Sequence, residues 1–375
     1  MPFPESDAMR LLYISSKKRW GGVSSWMRQT AIGLEKKGHR VWVLSHPHGR
    51  FHEVASDAVP CIPKKLGMDY NPLSIYFIVR LIKNHHIDLV VTNIEKEVIA
   101  GGMAARLCGI PNIRRVGRED DFNERFQVKW RHRLLVNRCI APCNLVRENA
   151  VKRARWLNSA QFTIIYNGRN CKHFSTEDIK EQRERWGFTD KECIIGVTSQ
   201  LSRSKGIDHL VRVFQVIERN FSNCRLVVTG EGPEKENLAK LAGELGLRHK
   251  TVFAGFSGDP MLSSAGYDIA VSNSRFEGFP NNVVEYFAAG RPVVTTDAGG
   301  VNEMAKHGEN ALLIPCDDDG RLYESIVALI QNPEMRRRLG CSAMETIRNG
   351  FSEDIMIDRL EAFFLESIRT GKKAA

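Results

Sequence analysis

A chain of 375 residues is long for a single core, and its 42% hydrophobic and 26% charged residues are those of a globular protein of two domains, excluding a disordered or fibrous one. No apolar run approaches the ~18 residues of a membrane span, the opening Met1-Pro2-Phe3-Pro4 has no leader pattern, and nine irregularly spaced cysteines, Cys139 and Cys143 the closest pair, fit neither a disulfide framework nor a zinc site; a reduced, cytoplasmic chain is expected. Residues 1–170 hold 28 Lys/Arg against 14 Asp/Glu, a net of +14, while the remainder is net −4, together the +10 of the chain; the first half is expected to meet an anionic partner.

In chain order, short apolar runs predict strands at 11–14, 41–44, 89–91 and 164–166, with helices at 23–37, 72–85, 95–108, 125–137 and 145–156. The second half repeats the alternation, with strands at 193–197, 226–228, 268–271 and 292–295 and helices at 207–219, 234–245, 281–289 and 320–331. Continuous apolar strands separated by helices predict an α/β protein with parallel sheets covered on both faces. The boundary is expected in the polar stretch 168–192. A last helix, 352–370, carries Ile355, Ile357, Leu360, Phe363, Phe364 and Ile368, a stripe that must be buried.

Such sheets bind ligands at the carboxyl ends of their strands, and four loops there are unusual. Trp20-Gly21-Gly22-Val23-Ser24 follows the first strand and opens a helix, so it reads either as a tight turn or as backbone that approaches an anion. Thr198 to Gly206 places Arg203 and Lys205 before a helix, as a diphosphate site would, although it does not match the P-loop pattern and a solvated basic loop has the same composition. Arg275-Phe276-Glu277-Gly278-Phe279-Pro280-Asn281-Asn282-Val283-Val284-Glu285 is the strongest signal. Gly278 and Pro280 hold Glu277 in a loop, Asn281 or Asn282 caps the next helix, and Glu285 is read two turns into it. Carboxylates accept hydrogen bonds from sugar hydroxyls, and two in apolar surroundings imply that a ligand or a cation meets them. The fourth loop is Thr296-Asp297-Ala298-Gly299-Gly300-Val301-Asn302-Glu303, another glycine pair after a strand, which a plain turn would also explain.

Together these loops resemble glycosyltransferase family 4, over most of the chain from Gly21-Gly22 to Asp317. The most specific part is a pair of glutamates with seven residues between them, Glu277 and Glu285, supported by Lys205-Gly206, Gly230-Glu231-Gly232-Pro233, Gly255 and Gly299-Gly300 with Glu303. The resemblance implies the GT-B fold, two Rossmann-like doubly wound domains facing across a cleft. Residues 1–170 would form the acceptor domain, completed by a crossover helix in 352–375, and 171–351 the donor domain. It implies a retaining hexosyl transfer from a nucleotide-diphosphate sugar to a cell-surface glycan or lipid-linked acceptor, with no cofactor and no metal. Lys205 would hold the diphosphate, Glu277 the hexose hydroxyls and Glu285 the ribose. The backbone of Gly278, Phe279, Pro280 and Asn281 would line the sugar, and Gly21 and Gly22 would approach the distal phosphate. Lys205, Glu277 and Arg203 are the expected catalytic residues.

The sequence departs from the family pattern at three places. Gln200 stands where an arginine is usual, which Arg203 is expected to replace. No histidine occurs in Arg114-Arg115-Val116-Gly117-Arg118, where many members have one. Asn167-Gly168-Arg169-Asn170 replaces the usual Asn-Gly-Val-Asp. Arg114, Arg115, Arg118, Lys129, Trp130, Arg131 and Arg133 belong to a basic, aromatic stretch that suits an acceptor or an anionic membrane surface, and no nucleic-acid motif accompanies it. The competing readings are a nucleotide-sugar 2-epimerase of the same fold and a non-catalytic anion-binding scaffold.

Overall fold

The computed structural model describes residues 8–117 and 121–371. It divides into two units, the first ending at Asn167 and resumed from Glu353, the second Gly168–Ser352. The first is built on seven parallel strands, β1 (Arg10–Ser15), β2 (Arg40–Ser45), β3 (Cys61–Pro63), β4 (Leu89–Thr92), β5 (Asn112–Arg115), β6 (Arg138–Ala141) and β7 (Phe162–Ile164), in the order β3-β2-β1-β4-β5-β6-β7. Helices α1 (Gly22–Lys36), α2 (Arg50–Ala55), α3 (Pro72–His85), α4 (Glu95–Leu107), α5 (Phe126–Leu135) and α6 (Asn144–Arg153) connect them.

Alternation along the strands sorts the core. Leu11 and Tyr13 of β1 join Val41, Val91 and Ile113 on the face covered by α1, while Leu12 and Ile14 join Leu44 and Val90 on the face of α3 and α4. Pro72 at the first position and the Asn71 side chain, accepting from the Leu73 and Ser74 amides at 3.0 and 3.3 Å, start α3. The buried Glu97 of α4 accepts from the Ser16 amide and hydroxyl at 2.7 and 2.8 Å and from the Asn93 amide at 3.0 Å. It thereby ties the loop after β1 to the start of α4.

The second unit has six parallel strands, β8 (Cys193–Thr198), β9 (Cys224–Thr229), β10 (Thr251–Gly255), β11 (Ile269–Ser272), β12 (Val293–Thr296) and β13 (Leu312–Ile314), in the order β10-β9-β8-β11-β12-β13. Its helices are α7 (Thr176–Arg185), α8 (Ile207–Asn220), α9 (Lys235–Glu244), α10 (Pro260–Ala265), α11 (Asn281–Ala288), α12 (Asp319–Gln331) and α13 (Pro333–Gly350). Leu210, Val211, Phe214 and Ile217 bury one face of α8 on this sheet. The last helix, α14 (Glu353–Gly371), returns to the first unit, where Ile357, Leu360, Phe363, Phe364 and Ile368 pack with α1. The strand expected at 164–166 runs at 162–164. The short β3, β5, β6, β10 and β13 escape the apolar pattern because they begin polar or lie at a sheet edge. No helix among the described residues is long and apolar enough to cross a membrane.

Candidate active site

In the second unit the loops after β8, β11 and β12 meet at the carboxyl edge. Lys205 ends a short 3-10 turn, Arg203–Lys205, and Gly206 follows with φ of 58°, its Cα against the Asn273 carbonyl where a side chain would overlap. The Asn273 side-chain amide donates to the Gly206 carbonyl at 3.0 Å and the Arg275 amide to the Ser204 carbonyl at 2.8 Å, so this turn is fastened to the loop after β11. As a result the Lys205 ammonium pairs with the Glu277 carboxylate, and the Ser274 hydroxyl donates to the same oxygen, Oε1, at 2.9 Å. Both side chains are largely buried, at 20% and 14% exposure. Gly299, with φ of 71°, presses on the Glu277 carbonyl, and the Gly300 amide donates to the Gly278 carbonyl at 2.8 Å. The second glycine pair is therefore a buttress beneath Glu277.

Beneath the loops, the Tyr267 hydroxyl bridges Thr198 and Thr229 at 2.8 Å each, and the Thr198 amide donates to the Tyr286 hydroxyl at 2.6 Å. These buried tyrosines fix the ends of β8 and β9, a role the sequence pattern did not signal.

Pro280, rather than Asn281 or Asn282, stands at the N-cap of α11, and Glu285 is the fifth helical residue, one turn in rather than two. It is buried, and Arg169 Nη2 donates to its Oε1 at 2.9 Å. Burial pushes the Glu285 carboxyl above the ordinary range, and Arg169 offsets part of that rise. Arg169 is the residue that departs from the family's usual turn, and its engagement with Glu285 was not foreseen. The Phe279 ring stacks on Phe351 with centroids 5.9 Å apart. Arg203 does not share the contact of Lys205. Its side chain is 85% exposed and pairs with Glu234 at 3.2 Å, beside Arg275 in a groove of about 350 Å³.

In the first unit, Gly21 is the extended N-cap of α1 and Gly22 its first residue, at the carboxyl end of the sheet. The membrane-surface expectation needs correction at two positions. Arg114 is 1% exposed, 3.4 Å from Glu95 and over the Phe122 ring at 4.5 Å; Arg115 is 4% exposed over the Trp26 ring at 4.8 Å. They are successive residues of β5, so each turns into one covered face of the sheet and neither reaches a surface. Arg131 is drawn to the same Glu95 at 3.0 Å. Lys129, Trp130 and Arg133 lie on α5, with Trp130 49% and the neighbouring Phe126 76% exposed. Arg118 lies outside the described residues.

Two family models match, Glycosyltransferase Family 4 over residues 20–173 and Glycosyl transferases group 1 over residues 178–346. The lipopolysaccharide core biosynthesis glycosyltransferase LpsD of Rhizobium meliloti is 33% identical over 169 residues, 45% of this chain and 48% of the relative. The alpha-D-kanosaminyltransferase of Streptomyces kanamyceticus is 27% identical over 189 residues, 50% of this chain and 48% of the relative. The chain thus spans about half the length of these curated relatives. Among solved structures, Anabaena Alr3699/HepE in complex with UDP-glucose superposes with a TM-score of 0.84 over 96% of this chain and 100% of its own, at 20% identity. That likeness is one of fold, the GT-B fold of paired Rossmann-like sheets. With both models matching in order along one polypeptide, the chain belongs to glycosyltransferase family 4, the group 1 glycosyl transferases.

Proposed function

We propose that this chain is a retaining glycosyltransferase that moves a hexose-type sugar from a nucleoside-diphosphate donor to a cell-surface glycan or lipid-linked acceptor. The observation that carries the reading is the Lys205–Glu277 pair at the carboxyl edge of the second sheet. A cation and a carboxylate that neutralise one another suit a ligand with a diphosphate at one end and hydroxyls at the other. The diphosphate takes the ammonium and the sugar hydroxyls donate to the freed carboxylate, so neither charge is left buried and alone. Glu285 then serves the ribose, and the backbone of Gly278 to Asn281 lines the sugar. In the reaction the acceptor oxygen bonds to the anomeric carbon on the face from which the diphosphate leaves. The anomeric carbon–phosphate oxygen bond breaks, and the leaving diphosphate takes the acceptor proton. The relatives named for lipopolysaccharide core and the UDP-glucose complex of the Anabaena protein support a surface-glycan acceptor and a uridine donor as the first to be tried. The exposed Phe126 and Trp130, with Lys129 and Arg133 on the same helix, support contact with an anionic membrane.

The reading is tested by thermal stabilisation with a panel of nucleoside diphosphates and nucleotide sugars, in the wild type and in Lys205→Ala and Arg203→Ala. A ligand at 100 times its dissociation constant stabilises by about 2.7 kcal/mol, a clear shift. The expected result is a shift with one base, lost in Lys205→Ala and weakened in Arg203→Ala. An Arg203 variant equal to wild type would end the idea that it replaces the arginine absent at Gln200. No shift with any member would favour the non-catalytic scaffold, and consumption of a nucleotide sugar without acceptor would favour a 2-epimerase.

A further inference from the structure

The turn that presents Lys205 is gripped by one side chain of the loop after β11, Arg275. Its three guanidinium nitrogens have three different partners. Nη1 donates to the Arg203 carbonyl at 2.8 Å, Nε to Asp317 Oδ1 at 2.7 Å, and Nη2 to His209 Nε2 at 2.6 Å. With the Arg275 amide on the Ser204 carbonyl, this one residue takes two consecutive carbonyls of the Arg203–Lys205 turn. The turn's own closing bond, from the Gly206 amide to the Arg203 carbonyl, is long at 3.4 Å, so Nη1 is the nearer donor to that oxygen.

The partners behind Arg275 aim it. A guanidinium can only donate, so His209 must meet it with the lone pair of Nε2. The neutral ring then carries its proton on Nδ1, which donates to Asp319 Oδ1 at 2.6 Å; Asp317 Oδ1, 3.5 Å from Nε2, is too far to compete. His209 is the third residue of α8 and Asp319 the first of α12, so two helices fix the ring. Asp317 lies between β13 and α12 in the left-handed region, with φ of 57°, a conformation that is unfavourable for an aspartate. The Asp317 and Arg275 side chains are 51% and 36% exposed, and ion pairs so open to water add little stability. What this arrangement fixes is direction. We propose that Arg275, oriented by Asp317 and by the His209–Asp319 pair, is a positioning residue that sets where the Lys205 ammonium stands. Its effect on a ligand rests on the diphosphate reading of Lys205; its hold on the turn does not.

The first readout needs no ligand. Hydrogen exchange of the Lys205 and Gly206 amides is followed in the full chain for wild type, Arg275→Ala, His209→Leu and His209→Gln. His209→Leu leaves the turn and the charges of Arg275 and Lys205 in place, while glutamine offers an acceptor near the position of Nε2. Exchange is expected to be about ten-fold faster in Arg275→Ala and in His209→Leu, and close to wild type in His209→Gln. Calorimetry then gives the affinity for a nucleoside diphosphate with and without Lys205→Ala. Arg275→Ala and His209→Leu are each expected to weaken it about ten-fold when Lys205 is present and less than about two-fold when it is absent, the coupling of residues that act as one unit. Equal losses with and without Lys205 would overturn the positioning role, since Arg275 would then act on the ligand by itself. Exchange unchanged in both Arg275→Ala and His209→Leu would overturn it outright. Faster exchange in a chain that binds no nucleoside diphosphate would count against the glycosyl-transfer reading and support the hold on the turn, so the two fail separately.

Discussion

Glu285 sits where its own charge is disfavoured. Its carboxyl is raised above the ordinary 4.5, first by burial, with Arg169 pulling the other way. A raised native pKa means that the folded state binds the proton more tightly than the unfolded chain. The resulting stability is full below 4.5 and is lost as pH rises through the native value, so at neutral pH the ionised group is a burden. Glu285→Gln is therefore expected to melt higher than wild type at pH 7 without ligand, the difference closing as pH falls below 4.5, while donor stabilisation is lost. A variant that melts lower at pH 7 would mean that the Arg169 pair outweighs burial. Glu277, Lys205 and Glu285 stand out in the sequence because their spacing is local or family-wide. Arg169 does not, because its partner lies 116 residues further on and only the fold brings the two together. Arg114 and Arg115 misled for a related reason. Charge in a sequence reads as surface, and neither the covered faces of β5 nor the Phe122 and Trp26 rings that receive these guanidiniums are local features.

At the scale of elements, α14 shows how one helix is held to its unit by both of its characters. Its apolar stripe, legible at 3.6-residue spacing, packs with α1, while Glu361 beside that stripe pairs with Lys37 and with His39 Nε2 at 2.8 Å. Burial alone would raise the Glu361 carboxyl, but Lys37 and His39 together hold it below its ordinary range. A depressed native pKa gives stability that is present above 4.5 and lost as pH falls through the native value. Glu361→Gln is expected to lower the melting temperature at pH 7 by a few degrees, for about 1 kcal/mol after allowance for partial exposure, and to match wild type in acid. A constant deficit across that range would assign the effect to packing. The strands that apolar patterning missed have a common cause. Asn112-Ile113-Arg114-Arg115 is too polar to read as a strand, yet all four residues are buried, with Thr92 donating to Asn112 at 3.0 Å and Asn112 to the Leu135 carbonyl at 2.6 Å. The alternation of strands and helices was enough to read two parallel sheets, because it depends on the majority of elements rather than on each one.

Over the whole molecule the charge is uneven, +14 in residues 1–170 against −4 in the rest. Part of that excess is internal, in Arg114 and Arg115, and part is presented beside exposed aromatics on α5. Each cation near an anionic bilayer contributes about 1 kcal/mol, so a few acting with Phe126 and Trp130 suffice for reversible binding. The chain is expected to sediment with anionic vesicles and not with neutral ones, and a Trp130→Ala, Lys129→Ala, Arg133→Ala variant to lose most of that binding; equal sedimentation with both vesicle types would refute the membrane contact. The central claim, that Lys205 and Glu277 hold a nucleotide sugar for transfer, is tested most directly by incubating the chain with nucleotide sugars and lipid-linked or core-glycan acceptors and measuring glycosylated product. The account predicts product from one donor with the anomeric configuration retained, and a fall of at least about ten- to hundred-fold in kcat/KM for Lys205→Ala and for Glu277→Gln. Turnover undiminished in both variants, or product of inverted configuration, would contradict it.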